Sequence, residues 1–114
     1  MPPPSALDIR TSSVVRLIKE ESSYHKELAS AKKSLEKMLA GEEPDEYELR
    51  QQRKVVEETK AMIPEVRTRL QTALEALKFQ LELQKSPESE PAQCKEKAQK
   101  AIDDAQKLLG EALE

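Results

Sequence analysis

Tryptophan is absent from this 114-residue chain, glycine occurs twice, histidine and cysteine once each, and aromatic residues total three per cent. Each scarcity excludes a class of chemistry. Two glycines cannot form a glycine-rich phosphate loop. The single cysteine, Cys94, excludes an internal disulfide. One histidine and one cysteine cannot supply the roughly four convergent ligands of a zinc site. So few large side chains leave little with which to wall a ligand pocket. No stretch approaches the about 18 apolar residues of a membrane span. The start, MPPPSALDIR, lacks the charged-then-apolar pattern of a secretory signal. Basic and acidic residues (19 and 22) are interleaved to a net charge of −3, with no basic block. A nucleic-acid or membrane partner is therefore not expected. The expected location is the cytoplasm.

What the chain does have is charge and helix formers. Charged residues make up 36% and hydrophobic ones 37%. This mix favours long helices with a narrow buried seam over a thick core. The length fits one domain, residues 1–114.

The first segment opens on Ser5-Ala6-Leu7-Asp8, the spacing of a capping box with Ser5 as N-cap. A 3-4 repeat follows: Leu7, Arg10, Val14, Leu17, Glu21, Tyr24, Leu28, Ala31, Leu35 and Met38. A repeat sustained this long predicts coiled-coil-like packing. Gly41 is expected to end the helix at its C′ position. Asp45 and Glu48 repeat the cap spacing, and a second seam runs Leu49, Gln52, Val56, Thr59, Ile63, Val66, Leu70, Leu74, Leu77 and Leu81. The four-residue step from Leu70 to Leu74 is a stutter, which locally unwinds a supercoil. KSPESEP, residues 85–91, breaks the pattern with two prolines. Ser86-Pro87 within it has the composition of a phosphorylation target. The third segment carries Cys94, Ala98, Ala101, Ala105, Leu108 and Ala112 on one stripe, flanked by Ile102 and Leu109. Exposed faces offer Glu46–Arg50, Glu65–Arg69, Glu96–Lys100 and Asp103–Lys107 at i,i+4.

Short connections make sequential helices antiparallel. The expected fold is all-α: an elongated up-down-up three-helix bundle with helices at about 6–40, 46–85 and 91–112. Folding about the first turn pairs positions whose numbers sum to about 84, and about the second turn to about 176. Pro64 then falls beside Glu21, Lys60 beside Tyr24, and Ala112 beside Pro64. The short third helix ends near the proline, leaving a three-helix end and a barer two-helix end. Pro64 lies at the border, where a proline kinks a helix. It deprives the Lys60 carbonyl of its usual donor, and the Tyr24 hydroxyl or a water is expected to replace it.

No catalytic constellation is visible. His25 follows the seam residue Tyr24 and is expected at the solvated seam edge. Cys94 is expected as a small apolar filler rather than a nucleophile. An enzyme is not expected, nor a nucleotide or metal cofactor.

Two blocks carry a resemblance to a known family. VVRLIKEESSYHKE, residues 14–27, and EYELRQQRKVVEETKAMIPEVRTRL, residues 46–70, follow in an order similar to that of the tubulin-binding cofactor A family, also called tubulin-specific chaperone A. The second block shares the tyrosine near the helix start, Gln52, the Glu58–Lys60 stretch and the apolar-apolar-proline at Met62-Ile63-Pro64. ALDIR near the start and AIDDAQKLL near the end match more weakly, and the third segment departs most. The resemblance implies a helical bundle in the cytoplasm, associated with the cytoskeleton. Such a protein binds β-tubulin released from the cytosolic chaperonin, holds it quasi-native, and passes it toward α/β heterodimer assembly. It meets the other tubulin-folding cofactors only indirectly, and the family leaves monomer and homodimer both open. Candidate partner contacts are Arg16, Lys19, Glu20, Tyr24, Glu27, Tyr47, Arg50 and Arg53, since Tyr and Arg are common interface anchors. Pro64 is the candidate structural kink. A coiled-coil scaffold that self-associates without tubulin specificity is the alternative.

Overall fold

Ser5 opens the first helix as expected. Its backbone is extended, and its Oγ accepts a hydrogen bond from the Asp8 amide at 3.1 Å. The computed structural model describes residues 5–84 and 92–113. It contains α1 (Ala6–Ala40), α2 (Glu46–Leu83) and α3 (Ala92–Leu109). The expected break at residues 85–91, with Ser86, lies outside the described residues. Asp45 caps α2 by accepting from the Tyr47 and Glu48 amides at 2.8 and 3.3 Å. These oxygens satisfy amides that have no partner inside the helix.

Gly41 closes α1 without the left-handed turn of a C′ glycine. It is the C-cap itself, with φ −69° and ψ 155°, and its amide reaches the Met38 carbonyl at 3.3 Å. Pro44 follows closely, and the chain leaves the helix in an extended conformation that any residue can adopt.

The helices pack as an antiparallel up-down-up rod, 68 × 32 × 17 Å along its principal axes. Its radius of gyration, 19.5 Å, exceeds the about 13 Å of a compact domain of this length. Two apolar clusters divide the rod. In one, Leu7 and Val14 of α1, Leu70, Leu74 and Leu77 of α2, and Ala98, Ala101, Ile102 and Ala105 of α3 are buried together. Half-buried Cys94 packs against this cluster. In the other, Leu28 and Ala31 meet Val56 and Ile63, with Tyr24 and Leu35 packed on them and α3 absent. The three-helix and two-helix ends read from the spacing are thus present. Alanines on α3 let it approach closely. The leucines at the α2 stutter are all buried, because there α2 faces two neighbours.

The register also holds. Gln52 Nε2 donates to the Ala31 carbonyl at 3.0 Å, tying α2 to α1 in the two-helix end. Ala112 and Leu113 share a groove with Lys60, Ile63 and Pro64, so the chain after α3 passes the proline. Three details differ. First, α3 ends at Leu109, short of the expected 112, and Ala112 lies exposed beyond it. Second, Pro64 faces solvent, and the side chain beside Glu21 is Arg67. Third, the Tyr24 hydroxyl does not serve the Lys60 carbonyl. It donates to Glu20 Oε1 at 3.1 Å, because a carboxylate one turn back on the same face is a stronger acceptor. The α2 helix continues through Pro64, whose carbonyl accepts from Thr68 Oγ1 at 3.0 Å.

Candidate partner-binding site

Glu21 sits on the α1 seam between the two apolar clusters and is only 3% exposed. A buried carboxylate requires compensation. Arg67 of α2, 9% exposed, supplies it, with Nε 3.5 Å from Glu21 Oε2. That Nε makes no hydrogen bond, so the contact is an ion pair rather than a fork on the carboxylate. The two terminal nitrogens of Arg67 point elsewhere: Nη1 donates to the Glu111 carbonyl at 2.7 Å and Nη2 to the Ala112 carbonyl at 3.0 Å. Carbonyls at a helix C-terminus lack partners inside the helix. One guanidinium therefore joins α1, α2 and the segment that follows α3.

His25 pairs through Nε2 with Glu21 Oε1. His25 thus stands at the seam edge, its side chain 34% exposed, against the most buried charged side chain among the described residues. Position i+4 on α1 puts its ring over Glu21. A groove of about 540 Å³ opens beside this junction and includes Glu21, His25, Arg67, Lys107 and Glu111 in its walls.

A second network lies on the adjacent face. Glu20 Oε1 accepts from both Tyr24 and Arg69 Nη2, the latter at 3.0 Å. The hydrogen bond to Glu20 holds the Tyr24 phenol above its ordinary pKa and also raises that of Arg69. Arg69 thus reaches across to α1, while Glu65 adds a weaker attraction from its own helix. On α3, Lys100 pairs with Asp104 at 2.8 Å, toward the C-terminus rather than back to Glu96. Nothing in the structure explains that choice.

The candidate contact residues fall into separate groups. Arg16 and Lys19 are exposed on a groove between α1 and α3, together with Lys97 and Lys100. Glu20 and Tyr24 are engaged with each other and with Arg69. Glu27 is exposed on the two-helix part of α1. Tyr47 is 67% exposed near the tip, and Arg50 and Arg53 flank buried Leu49 in a shallow hollow. At about 1.5 Å per residue, the basic groove and that hollow are about 20 Å apart along the rod. They do not form one compact site. Arg67 and Lys97 went unmarked in the sequence, and Lys100 was marked only as a helix-face partner of Glu96. The available signal for Arg67 was Glu21 itself, an ionisable residue at a seam position that needs a partner from another helix.

Among the described residues no group of three or more His, Cys, Asp or Glu side chains could hold a metal ion. Nor, among the described residues, is any helix long and apolar enough to cross a membrane. The fold and its grooves define an elongated antiparallel three-helix bundle that offers a partner its surfaces.

The chain belongs to the tubulin-binding cofactor A family, whose description, Tubulin binding cofactor A, matches residues 2–109. Tubulin-folding cofactor A of Arabidopsis thaliana is 39% identical over 103 residues, covering 89% of this chain and 88% of that one. Tubulin-specific chaperone A of Homo sapiens is 35% identical over 82 residues, covering 72% of this chain and 75% of its own length. The Saccharomyces cerevisiae protein of the same name is 30% identical over 106 residues, covering 93% and 95%. The crystal structure of tubulin folding cofactor A from Arabidopsis thaliana superposes with a TM-score of 0.76 at 36% identity, covering 89% of this chain and 92% of that one.

Proposed function

We propose that this protein is a tubulin-folding cofactor. It captures quasi-native β-tubulin released from the cytosolic chaperonin and holds it until it passes toward the α/β heterodimer. The observation that carries this reading is the family match along nearly the whole chain, residues 2–109. The rod acts without catalysis, nucleotide or metal, in the cytoplasm and in association with the cytoskeleton, and it meets other folding cofactors only through the shared tubulin. Holding is differential affinity: the shift imposed on tubulin is no larger than the rod's preference for the held state. Affinity must therefore be modest enough for transfer. Arg16, Lys19, Glu20, Tyr24, Glu27, Tyr47, Arg50 and Arg53 contribute the contact faces, and a bend of α2 at Pro64 shapes them.

The test is co-precipitation of β- and α-tubulin freshly released from chaperonin. Retention of the β chain in preference to the α chain is expected. Equal retention of both, or of neither, overturns the reading. Self-association of a scaffold is the competing reading, and exposed Leu39, Val55 and Tyr47 on the two-helix part favour it. Sedimentation of a stable dimer that captures no tubulin establishes that alternative.

A further inference from the structure

The chain as a whole is acidic, at −3, yet one of its grooves is strongly basic. The groove runs between α1 and α3 in the three-helix end and has a volume of about 640 Å³. Arg16 and Lys19 stand on the α1 wall; Lys97 and Lys100 stand on the α3 wall. All four are exposed. The single carboxylate on the groove, Asp104, is held by Lys100 at 2.8 Å. Arg16, Lys19 and Lys97 carry no ion pair among the described residues. Exposed Val15 supplies apolar surface between the walls, above buried Ala101.

The geometry points to this groove as a docking surface for an acidic peptide segment of a partner protein. Cations on each wall are three residues apart, a rise of about 4.5 Å. Two such rows meet successive carboxylates along a peptide rather than converging on one small anion. The lining of the groove includes no aromatic side chain on which a base could stack, which disfavours a nucleic acid. Uncompensated cations at a surface of opposite overall sign attract a complementary segment and orient it. The apolar strip between the walls accommodates the segment's methylenes. Asp104 opposes such a ligand, both by its own charge and by occupying Lys100. The groove deepens the proposed function by locating one contact face. It rests on that reading only for the identity of the protein that bears the acidic segment.

Fluorescence anisotropy of a labelled octaglutamate peptide against the full chain tests this, with octaglutamine as control. Octaglutamate is expected to bind at 50 mM salt and to weaken several-fold at 200 mM, since exposed charges are screened. The control is expected to bind at least tenfold more weakly. The double variant Arg16→Glu/Lys97→Glu should lose at least tenfold in affinity. A pair with the same charge change elsewhere, Lys33→Glu/Lys54→Glu, should change it less than threefold. Asp104→Asn should tighten binding, an outcome that no unfolded variant can mimic. Equal loss in both double variants, equal binding of octaglutamine, or tighter binding of a single-stranded oligonucleotide overturns the assignment. Capture of β-tubulin without octaglutamate binding removes the groove and leaves the proposed function; octaglutamate binding without tubulin capture does the reverse.

Discussion

Replacing Arg67 by leucine is expected to be among the most damaging single changes to this fold. The substitution keeps a bulky apolar side chain at the junction but removes the Arg67 cation from the Glu21 carboxylate, 3% exposed, leaving it only the His25 imidazole as a partner. Removing one partner of a buried ion pair costs about 3–5 kcal/mol. The lower end applies here, because Arg67 Nε lies 3.5 Å from Glu21 and makes no hydrogen bond. The Glu111 and Ala112 carbonyls lose donors as well, but both residues are exposed and water replaces those bonds. Unfolding entropy of about 2.1 cal/mol/K per residue converts 3 kcal/mol into a Tm drop of about 13 °C for a chain of this length. Circular dichroism melts of the wild type, Arg67→Leu, Glu21→Leu and the double variant provide the assay. The double variant should recover most of the loss, since an apolar pair of similar volume is often as stable as the buried ions it replaces. Strictly additive losses in the double variant, or a drop below about 4 °C for Arg67→Leu, would show that the junction is not coupled in this way.

Other perturbations probe the remaining contacts. In a Tyr47→Phe background, ultraviolet titration should find Tyr24 ionising above the ordinary phenol range near pH 10, because its hydroxyl donates to Glu20. Glu20→Gln should bring that titration down, and an unmoved curve contradicts the hydrogen bond. The native phenol pKa is raised relative to the unfolded chain, so its contribution to stability is complete below about pH 10 and disappears as pH rises through the native value. Ser5→Ala removes the α1 cap and should cost about 1 kcal/mol, read as a lower denaturant midpoint with unchanged slope; no shift argues against the cap. Pro64→Ala restores a backbone donor at an exposed helical site and should stabilise by up to about 3 kcal/mol. A fall in Tm would instead show that the groove shared with Ala112 and Leu113 depends on the proline ring.

The helices, the N-terminal caps of α1 and α2 and the antiparallel order were legible along the chain because each rests on local chemistry. Ser5 and Asp45 cap wherever a helix follows them, and a 3-4 apolar repeat presents one face whatever packs on it. Counting residues through the turns was enough to place Ala112 near Pro64, though α3 itself stops at Leu109. The junction was not legible in this way. Glu21 appeared as an exception in an apolar seam, and only the packing of three helices chose Arg67, rather than Pro64 or another neighbour, as the residue facing it. Long side chains reach several residues past their own register, which no spacing rule specifies. The same holds for the basic groove. Arg16 and Lys19 are ordinary solvated charges on α1 until α3 lies alongside and sets Lys97 and Lys100 opposite them. Periodicity within one helix determined the rod; the meeting of side chains from different helices, which depends on rotation and approach as well as spacing, decided where its charge is buried and where it is exposed.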